Sequence, residues 1–236
     1  MKHPTPHIVS SFEEALAKLR SGVVEMAGVA EIQIDRAVDC LSQRDPALAG
    51  AVVRDDGSLD RAEQRIEADA MRLLCLRGPV ADDLREVMAA LKIAGNLERV
   101  GDYAANIAKR AGALGPQGDA AAAAGLAKLG RLVRERLATV INAYVDGDAA
   151  TALDVWRHDD DVDTLYTSLC EGVVHEAGSH PERFAVHMHL LFIAKNLERI
   201  GDHATNIAEV VYFLATGQPL SEDRPKADHT SETLPE

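Results

Sequence analysis

Two pairs of carboxylate side chains occupy the same place in two copies of one sequence segment. Residues 91–108 read LKIAGNLERVGDYAANIA and residues 191–208 read LFIAKNLERIGDHATNIA, with thirteen of eighteen aligned positions identical. Each copy contains a glutamate followed four residues later by an aspartate, a spacing that places both carboxylates on one side of a helix. The pairs are Glu98 with Asp102, and Glu198 with Asp202.

The rest of each copy shows which side of the helix these carboxylates occupy. Apolar residues recur at spacings of three and four, as for Leu97, Val100 and Ala104, which predicts a buried helix face. The glutamate, the aspartate and a following asparagine fall on the opposite face. A Glu–Asp pair at this spacing destabilises its helix by about 0.2–0.5 kcal/mol, so helix stability does not explain its repetition. Two interpretations stay open: a solvated acidic face, and a surface that binds a cation or a partner.

A second carboxylate pair precedes each copy. In the middle helix of each predicted unit, two aspartates again stand four residues apart: Asp56 with Asp60, and Asp159 with Asp163. Two neighbouring helices that each project two carboxylates can form an oxygen-rich site for a hard cation or an iron centre. The alternatives are an ordinary Asp-Asp-Gly-Ser turn at the first pair and a solvated helix at the second.

The composition indicates helices around these residues. Aromatic residues make up only 4% of the chain, whereas alanine and leucine are abundant, which suits close-packed helices. We predict an all-α fold of two tandem three-helix bundles, six helices in all, related by internal duplication. The duplication favours two small cores over one large core.

Helix-breaking residues give the domain boundaries. We predict a first three-helix bundle over residues 8–112, in which the segment 55–58 interrupts or distorts the middle helix. The glycine- and proline-rich segment 113–119 is the predicted linker. A second bundle follows over residues 120–217, with Gly178 able to end its middle helix. The polar, proline-bearing segment 218–236 is typical of a disordered tail.

The charge balance narrows the range of partners. A net charge of −13 argues against nucleic acid as a partner, because phosphate-backbone binding needs a clustered basic surface. No apolar run reaches about 18 residues, and the N-terminus lacks the apolar core of a signal peptide. We therefore expect a cytoplasmic protein without membrane insertion. The three cysteines show no C-x-x-C pairing and are interpreted as reduced, partly buried thiols.

The duplicated motif resembles that of the PhoU family of phosphate-signalling regulators. The resemblance rests on LERVGD followed by Asn106, on LERIGD followed by Asn206, and on the upstream DGSLD and DDDVD segments, and it covers about residues 8 to 217. It implies a cytoplasmic negative regulator of the phosphate-starvation response and of phosphate uptake. Such a regulator links the ATPase subunit of the phosphate ABC transporter to a membrane sensor histidine kinase. We also expect a homo-oligomer, and favour a dimer.

The resemblance also implies surface metal sites. Members of this family hold metal clusters of iron, zinc, manganese or magnesium at their E/D-x-x-x-D motifs. Carried over by position, the metal ligands are Asp56, Asp60, Glu98 and Asp102 in the first unit, and Asp159, Asp163, Glu198 and Asp202 in the second. The supporting signature residues are Arg99, Asn106, Arg199 and Asn206.

The arginines and glycines of the signature have two interpretations each. Arg99 and Arg199 either form ion pairs with neighbouring carboxylates or face a partner or a phosphate-like anion. Gly101 and Gly201 each cost about 1 kcal/mol relative to alanine inside a helix, which close helix approach or room for a partner would explain.

An enzyme is the competing class of function. Di-iron enzymes built on helical bundles use an E-x-x-H motif from each of two helices, and no histidine here has a glutamate three residues before it. Phosphate-binding and nucleophile loops of known pattern are also absent from the sequence. We therefore predict no catalytic residues and no organic cofactor. The remaining alternatives are a metal-dependent carboxylate-bridged enzyme and a helical scaffold without metal.

Overall fold

The chain is helical throughout the residues that the structure describes. The computed structural model describes residues 6–43, 45–114, 120–221, 224, 227 and 230, and none of these residues forms a β-strand. The first unit contains α1 (Pro6–Gln43), α2 (Pro46–Asp55), α3 (Gly57–Arg77) and α4 (Asp82–Leu114). The second contains α5 (Ala120–Asp146), α6 (Ala149–Arg157), α7 (Asp160–Ser179), a 3-10 turn (Pro181–Arg183) and α8 (Phe184–Thr216).

Each unit is a three-helix bundle whose middle helix is divided into two consecutive segments. α2 and α3 form the middle helix of the first unit, and α6 and α7 form that of the second. The predicted all-α fold with an internal duplication is confirmed. The break near residues 55–58 was predicted, but the equivalent break after Arg157 was not, because no glycine or proline marks it.

Aspartate side chains start both middle helices. The Asp45 carboxylate accepts a hydrogen bond from the Ala47 N–H at 2.8 Å, and Pro46 occupies the first turn, where its missing N–H costs nothing. The Asp148 carboxylate accepts hydrogen bonds from the N–H groups of Ala150 and Thr151 at 2.9 and 3.1 Å. These caps determine the residue at which each middle helix begins after the preceding long helix.

The two units share one hydrophobic core. The buried apolar residues of both units form a single contiguous cluster, and α4 packs along α8 at its centre. Leu97 and Leu197, at equivalent positions of the duplicated segment, are both fully buried. The predicted apolar faces are therefore confirmed, whereas the expectation of two separate small cores is wrong. Each long helix of the signature therefore packs both within its own bundle and against the other bundle.

The ends of the elements differ slightly from the predicted boundaries. α4 continues to Leu114, two residues into the predicted linker, and residues 115–119 lie outside the described residues. α7 passes through Gly178 and ends at Ser179. α8 ends at Thr216, as predicted, and the Gly217 that follows has a positive φ of 71°, which a residue without a Cβ adopts at little cost. Across the described residues, every helix is too short or too polar to span a lipid bilayer.

Candidate functional site

The two predicted aspartates at the breaks of the middle helices occupy equivalent positions. Asp56 precedes α3 and Asp159 precedes α7, and both have right-handed helical backbone angles. Neither side chain caps the helix that follows it, unlike Asp45 and Asp148. Because neither carboxylate accepts a hydrogen bond from the first backbone amides of its helix, each is available for other contacts. Both carboxylates face the long helix that carries the signature.

Glycines at the centre of the signature bring the two helices together. A Cβ placed on Gly101 of α4 would overlap Cδ1 of Leu59 in α3 and lie 3.0 Å from Oε1 of Gln33. A Cβ on Gly201 of α8 would lie 2.9 Å from Cγ1 of Val162 in α7. Close helix approach is therefore the reason for both glycines. This approach brings the carboxylates of the middle helix next to those of the signature.

In the first unit, the predicted carboxylates form an acidic cluster at the surface of α3 and α4. We call Asp56, Asp60, Glu98, Asp102 and Glu63 the unit-one cluster. Burial, Asp102 and Asp60 together raise the pKa of Asp56. Burial and Asp102 raise the pKa of Glu98, with smaller effects of Glu63 and Asp60 in the same direction. Asp102 therefore acts on carboxylates of both helices, which places like charges of α3 and α4 near each other.

Glu63 is a member of the cluster that the sequence analysis missed. Burial raises its pKa first, followed by repulsion from Glu67 and Asp60. Its helical spacing could have identified it, since Glu63 follows Asp60 by three residues and so lies on the same face of α3. The equivalent residue in α7 is Tyr166, so the duplication did not point to Glu63.

Arg99 partly neutralises the unit-one cluster. Its Nη1 lies 3.1 Å from Oδ2 of Asp102, and its Nε lies 3.4 Å from Oε2 of Glu98. The Arg99 side chain is 59% exposed, so solvent screens both ion pairs. The structural interpretation of this arginine fits the geometry.

In the second unit, the equivalent carboxylates are buried. Asp159, Asp163 and Glu198 are each 5% exposed, whereas the sequence pattern places Glu198 on an outward helix face. The prediction of an outward face is wrong for Glu198, and the solvated-helix alternative does not hold for Asp159 and Asp163, because α7, α8 and the chain after α8 cover these side chains. We call Asp159, Asp163, Glu198 and Asp202 the unit-two cluster.

Side chains of the protein form hydrogen bonds or ion pairs with most carboxylates of the unit-two cluster. The Thr205 hydroxyl donates a hydrogen bond to Oδ1 of Asp159 at 2.7 Å. Lys195 Nζ lies 2.9 Å from Oε1 of Glu198, while Oε2 of the same glutamate is buried without a hydrogen-bond partner among the described residues. Burial raises the pKa of Glu198 to about 7, with Lys195 opposing this rise and Asp202 adding to it.

Two cations of the unit-two cluster were missed by the sequence analysis. Lys195 aligns with Gly95 in the first unit, so this difference was visible as a lost identity in the duplicated segment. Arg224 lies beyond α8, and its guanidinium contacts both Asp159 and Asp202, at 2.7 and 2.5 Å. No sequence pattern near the signature pointed to Arg224.

The remaining signature residues lie near the contact between α4 and α8. The Arg199 guanidinium carbon lies 5.6 Å from the ring centre of Tyr103, and the His203 and Tyr103 rings lie 5.6 Å apart. Nδ1 of His203 lies 2.7 Å from Oδ1 of Asn96. Asn206 Nδ2 approaches the same Asn96 oxygen at 3.5 Å, whereas Asn106 is exposed. The two arginines of the signature therefore have different environments, and Arg199 contacts the other unit.

The donor groups suit a hard cation, but they are not arranged as a finished cage. Both clusters offer carboxylate oxygens, the ligands that hard cations and iron accept. Within the part of the chain that the structure describes, no three histidine, cysteine, aspartate or glutamate side chains are poised around one metal position. Binding a cation at the unit-one cluster therefore needs rotation of exposed side chains, and at the unit-two cluster it needs removal of Arg224.

The sequence is similar to those of phosphate transport accessory proteins from other bacteria. The chain is 44% identical over 230 residues to the phosphate-specific transport system accessory protein PhoU homolog of Caulobacter vibrioides strain NA1000, covering 97% of this chain and 100% of the relative. It is also 44% identical over 216 residues to the protein of the same name from Zymomonas mobilis, covering 92% of this chain and 91% of the relative.

Solved structures show the same fold. The crystal structure of PhoU from Pseudomonas aeruginosa superposes with a TM-score of 0.84 at 32% identity, covering 88% of this chain and all of that one. The phosphate transport system regulatory protein PhoU from Streptococcus pneumoniae gives a TM-score of 0.83 at 26% identity, covering 89% of this chain and all of that one. Residues 23–111 and 126–211 each match the PhoU domain, one in each unit. The chain therefore belongs to the PhoU family.

Proposed function

We propose that this protein is a negative regulator of the phosphate-starvation response and of phosphate uptake. It acts in the cytoplasm as a non-enzymatic adaptor between the ATPase subunit of the phosphate transporter and a sensor histidine kinase. Two relatives that match over most of their length carry the name of phosphate transport accessory proteins, which supports a role in phosphate transport. The observation that supports the adaptor role best is the unit-one cluster of carboxylates at the surface of α3 and α4, where a partner can reach it.

The unit-one cluster is the cation site of this proposal. Asp56, Asp60, Glu98 and Asp102 would hold a hard cation, such as iron, manganese, zinc or magnesium, with Glu63 beside them. A bound cation would neutralise repelling carboxylates and either bridge to a partner or stiffen the surface that the partner contacts. The equivalent residues Asp159, Asp163, Glu198 and Asp202 would form the second site.

A homodimer is the proposed assembly. Met88 of α4 and Phe213 of α8 are 42% and 39% exposed and line the same surface groove. Apolar groups clustered on a surface favour association with another protein surface. Light scattering of the purified chain at several concentrations measures the mass; a monomer at all concentrations would contradict the dimer.

A deletion strain tests the adaptor role. Without this protein, we expect phosphate-starvation genes to stay expressed when phosphate is plentiful, because the kinase no longer receives the signal from the transporter. Purified protein should bind the transporter ATPase or the kinase. Asp102→Asn should weaken that binding, while Asp146→Asn, which removes an exposed carboxylate at the end of α5, should not.

The contrary outcomes are distinct. Normal repression in the deletion strain, together with turnover of a small substrate that disappears in Glu98→Ala, would place the protein among metal-dependent enzymes. Repression that needs the protein but survives Asp102→Asn and Asp202→Asn, with no metal in elemental analysis, would make it a scaffold without metal.

A further inference from the structure

The chain after α8 turns back onto the second unit. We call the described residues 217–221, 224, 227 and 230 the C-terminal segment. The Gly217 N–H donates a hydrogen bond to the Phe213 carbonyl oxygen at 2.8 Å, which ends the helix. Leu220 then packs against the hydrophobic core. This reversal directs the segment along α7 and α8.

Arg224 lies at the centre of the unit-two cluster. Its Nε is 2.7 Å from Oδ2 of Asp159, its Nη2 is 2.5 Å from Oδ1 of Asp202, and its Nη1 is 3.5 Å from Oδ1 of Asn206. The Arg224 side chain is 17% exposed and the Asp159 side chain 4% exposed. One guanidinium therefore joins a carboxylate that starts α7 to one on α8, the two helices that a shared cation would have to join.

Further contacts continue along α7. The Ala227 N–H donates a hydrogen bond to Oδ2 of Asp163 at 2.9 Å. Thr230 makes a side-chain hydrogen bond with Tyr166. The segment thus contacts Asp159, Asp163 and Tyr166, which lie on one face of α7. Three of the four carboxylates in the unit-two cluster are bonded to this segment.

The unit-one cluster has a different set of neighbours. Glu63 stands where the second unit has Tyr166, and Gly95 stands where it has Lys195. The first unit therefore has one carboxylate more and one cation fewer at the equivalent positions. Its ion pairs come from the exposed Arg99 on the same helix. The duplicated sites are thus electrostatically unequal, although their signature residues are identical.

We propose that the C-terminal segment is an intramolecular occupant of the unit-two cluster, with the Arg224 guanidinium in place of the cation. The unit-one cluster is then the site that binds a hard cation in the resting protein. The unit-two cluster binds one only after the segment has moved away. This inference rests on the cation sites of the proposed function and adds that one of them is closed by the chain itself.

The physical basis is competition for the same oxygens. A tethered group acts at an effective concentration in the millimolar range for a short flexible connection, so it competes strongly with dilute free cations. Arg224 needs the carboxylates of Asp159 and Asp202, which a cation would also bind. Apparent affinity falls in proportion to the fraction of molecules that are open. We expect the closed site to bind a cation at least about tenfold more weakly than the open one.

Titration with Mn²⁺ alone tests the competition. The variant Asp102→Asn weakens the unit-one site, so calorimetry on the full chain then reports mainly the unit-two cluster. Adding Arg224→Gln should strengthen Mn²⁺ binding at least about tenfold. The matched control Arg131→Gln removes an exposed positive charge from α5 and should leave the affinity unchanged. Equal affinity with and without Arg224 would overturn the proposal.

Hydrogen exchange provides a readout that does not depend on metal. In protein treated with EDTA, the Ala227 amide should exchange slowly, and Arg224→Gln or Asp163→Asn should release it. Saturating Mn²⁺ should also release it in the unsubstituted chain. Fast exchange of this amide in the unsubstituted, metal-free chain would overturn the closed state while leaving a unit-one cation site intact. If the Ala227 amide is protected but neither the unsubstituted chain nor any variant binds Mn²⁺, the proposed cation sites are wrong. The proposed competition between Arg224 and a cation is then wrong as well.

Discussion

Glu198 shows how the same residue of a duplicated motif acquires different properties in its two positions. Glu98 has a side chain 19% exposed and contacts Arg99, whereas Glu198 is 7% exposed and leaves one oxygen without a hydrogen-bond partner among the described residues. Burial disfavours the charged form of a carboxylate, and an unbonded oxygen increases that cost. The pKa of Glu198 therefore rises to about 7.

This raised pKa predicts a pH dependence of stability in metal-free protein. The folded-state pKa lies above the ordinary value of 4.5, so below about pH 4.5 the side chain is protonated in both states and costs nothing. Between pH 4.5 and 7 the unfolded chain loses this proton first, and stability falls as pH rises. The full cost, on the order of 3 kcal/mol at most, is present above pH 7. Glu198→Gln should therefore raise the free energy of unfolding at pH 8 by about 1 kcal/mol or more, without a gain at pH 4.5.

Urea denaturation of both proteins in EDTA at the two pH values measures this difference. Glu98→Gln is the matched control, because its carboxylate is more exposed and the change should be smaller. A Glu198→Gln variant that is less stable than the parent at pH 8 would show that the Lys195 ion pair outweighs the burial cost.

The sequence predicted the carboxylates of the site better than their partners. Glu98, Asp102 and their equivalents were found because they are identical in the two copies. Their position on one helix face follows from their spacing in the sequence. Arg224 could not be predicted in the same way, because its contacts with Asp159 and Asp202 depend on how the chain reverses after Gly217. The environment of each carboxylate is a tertiary property, and only its position on a helix face is local.

Among the elements, the contact between α3 and α4 depends on a residue without a side chain. Gly101 is buried against Leu59 and Gln33, so its cost in helix propensity is balanced by close packing. Of the two explanations for this glycine, close helix approach and room for a partner, these contacts support the first. The break between α6 and α7, by contrast, has no glycine and was found only in the structure.

Gly101→Ala should destabilise the protein despite alanine's better helix propensity. The new Cβ would overlap Leu59, and overpacking in a core costs about 1–3 kcal/mol. The matched control is Gly28→Ala in α1, where nothing lies within 4 Å of the new Cβ; it should stabilise by up to about 1 kcal/mol. Thermal or urea denaturation compares the two variants. Equal stabilisation by both would mean that α3 and α4 are not held at this distance.

At the scale of the whole molecule, the duplicated units share one hydrophobic core. The composition and the duplication favoured two small cores, because each copy carries a complete apolar face. In the structure, Ile93, Leu97 and Val100 are fully buried in a cluster that extends into the second unit. Sequence periodicity shows that a face is buried, but it does not show which helices cover it.

Polar contacts between the units accompany this shared core. Arg134 of α5 lies 3.2 Å from Asp35 and 3.7 Å from Glu31 of α1. The Arg110 guanidinium lies 4.0 Å from the centre of the Phe192 ring. Together with the contacts of His203 to Asn96 and Tyr103, these place interactions along both α1–α5 and α4–α8. Polar and cation–π contacts therefore add to the apolar packing between the two units.

The shared core predicts that neither unit is stable alone. A fragment of residues 1–114 or 115–236 would expose the apolar face that α4 and α8 bury against each other, at a cost of roughly 25 cal/mol for each Å² returned to water. We expect each fragment to lose helicity and to unfold without a sharp transition, and the two fragments together to recover a cooperative one. Circular dichroism during heating measures both states. The matched control is the full chain cleaved at an inserted protease site within residues 115–119, which should keep its cooperative transition because the interface survives the cut. Two fragments that each unfold sharply near the midpoint of the full chain would show that the units are independent domains, and that the contact of α4 with α8 contributes little to their stability.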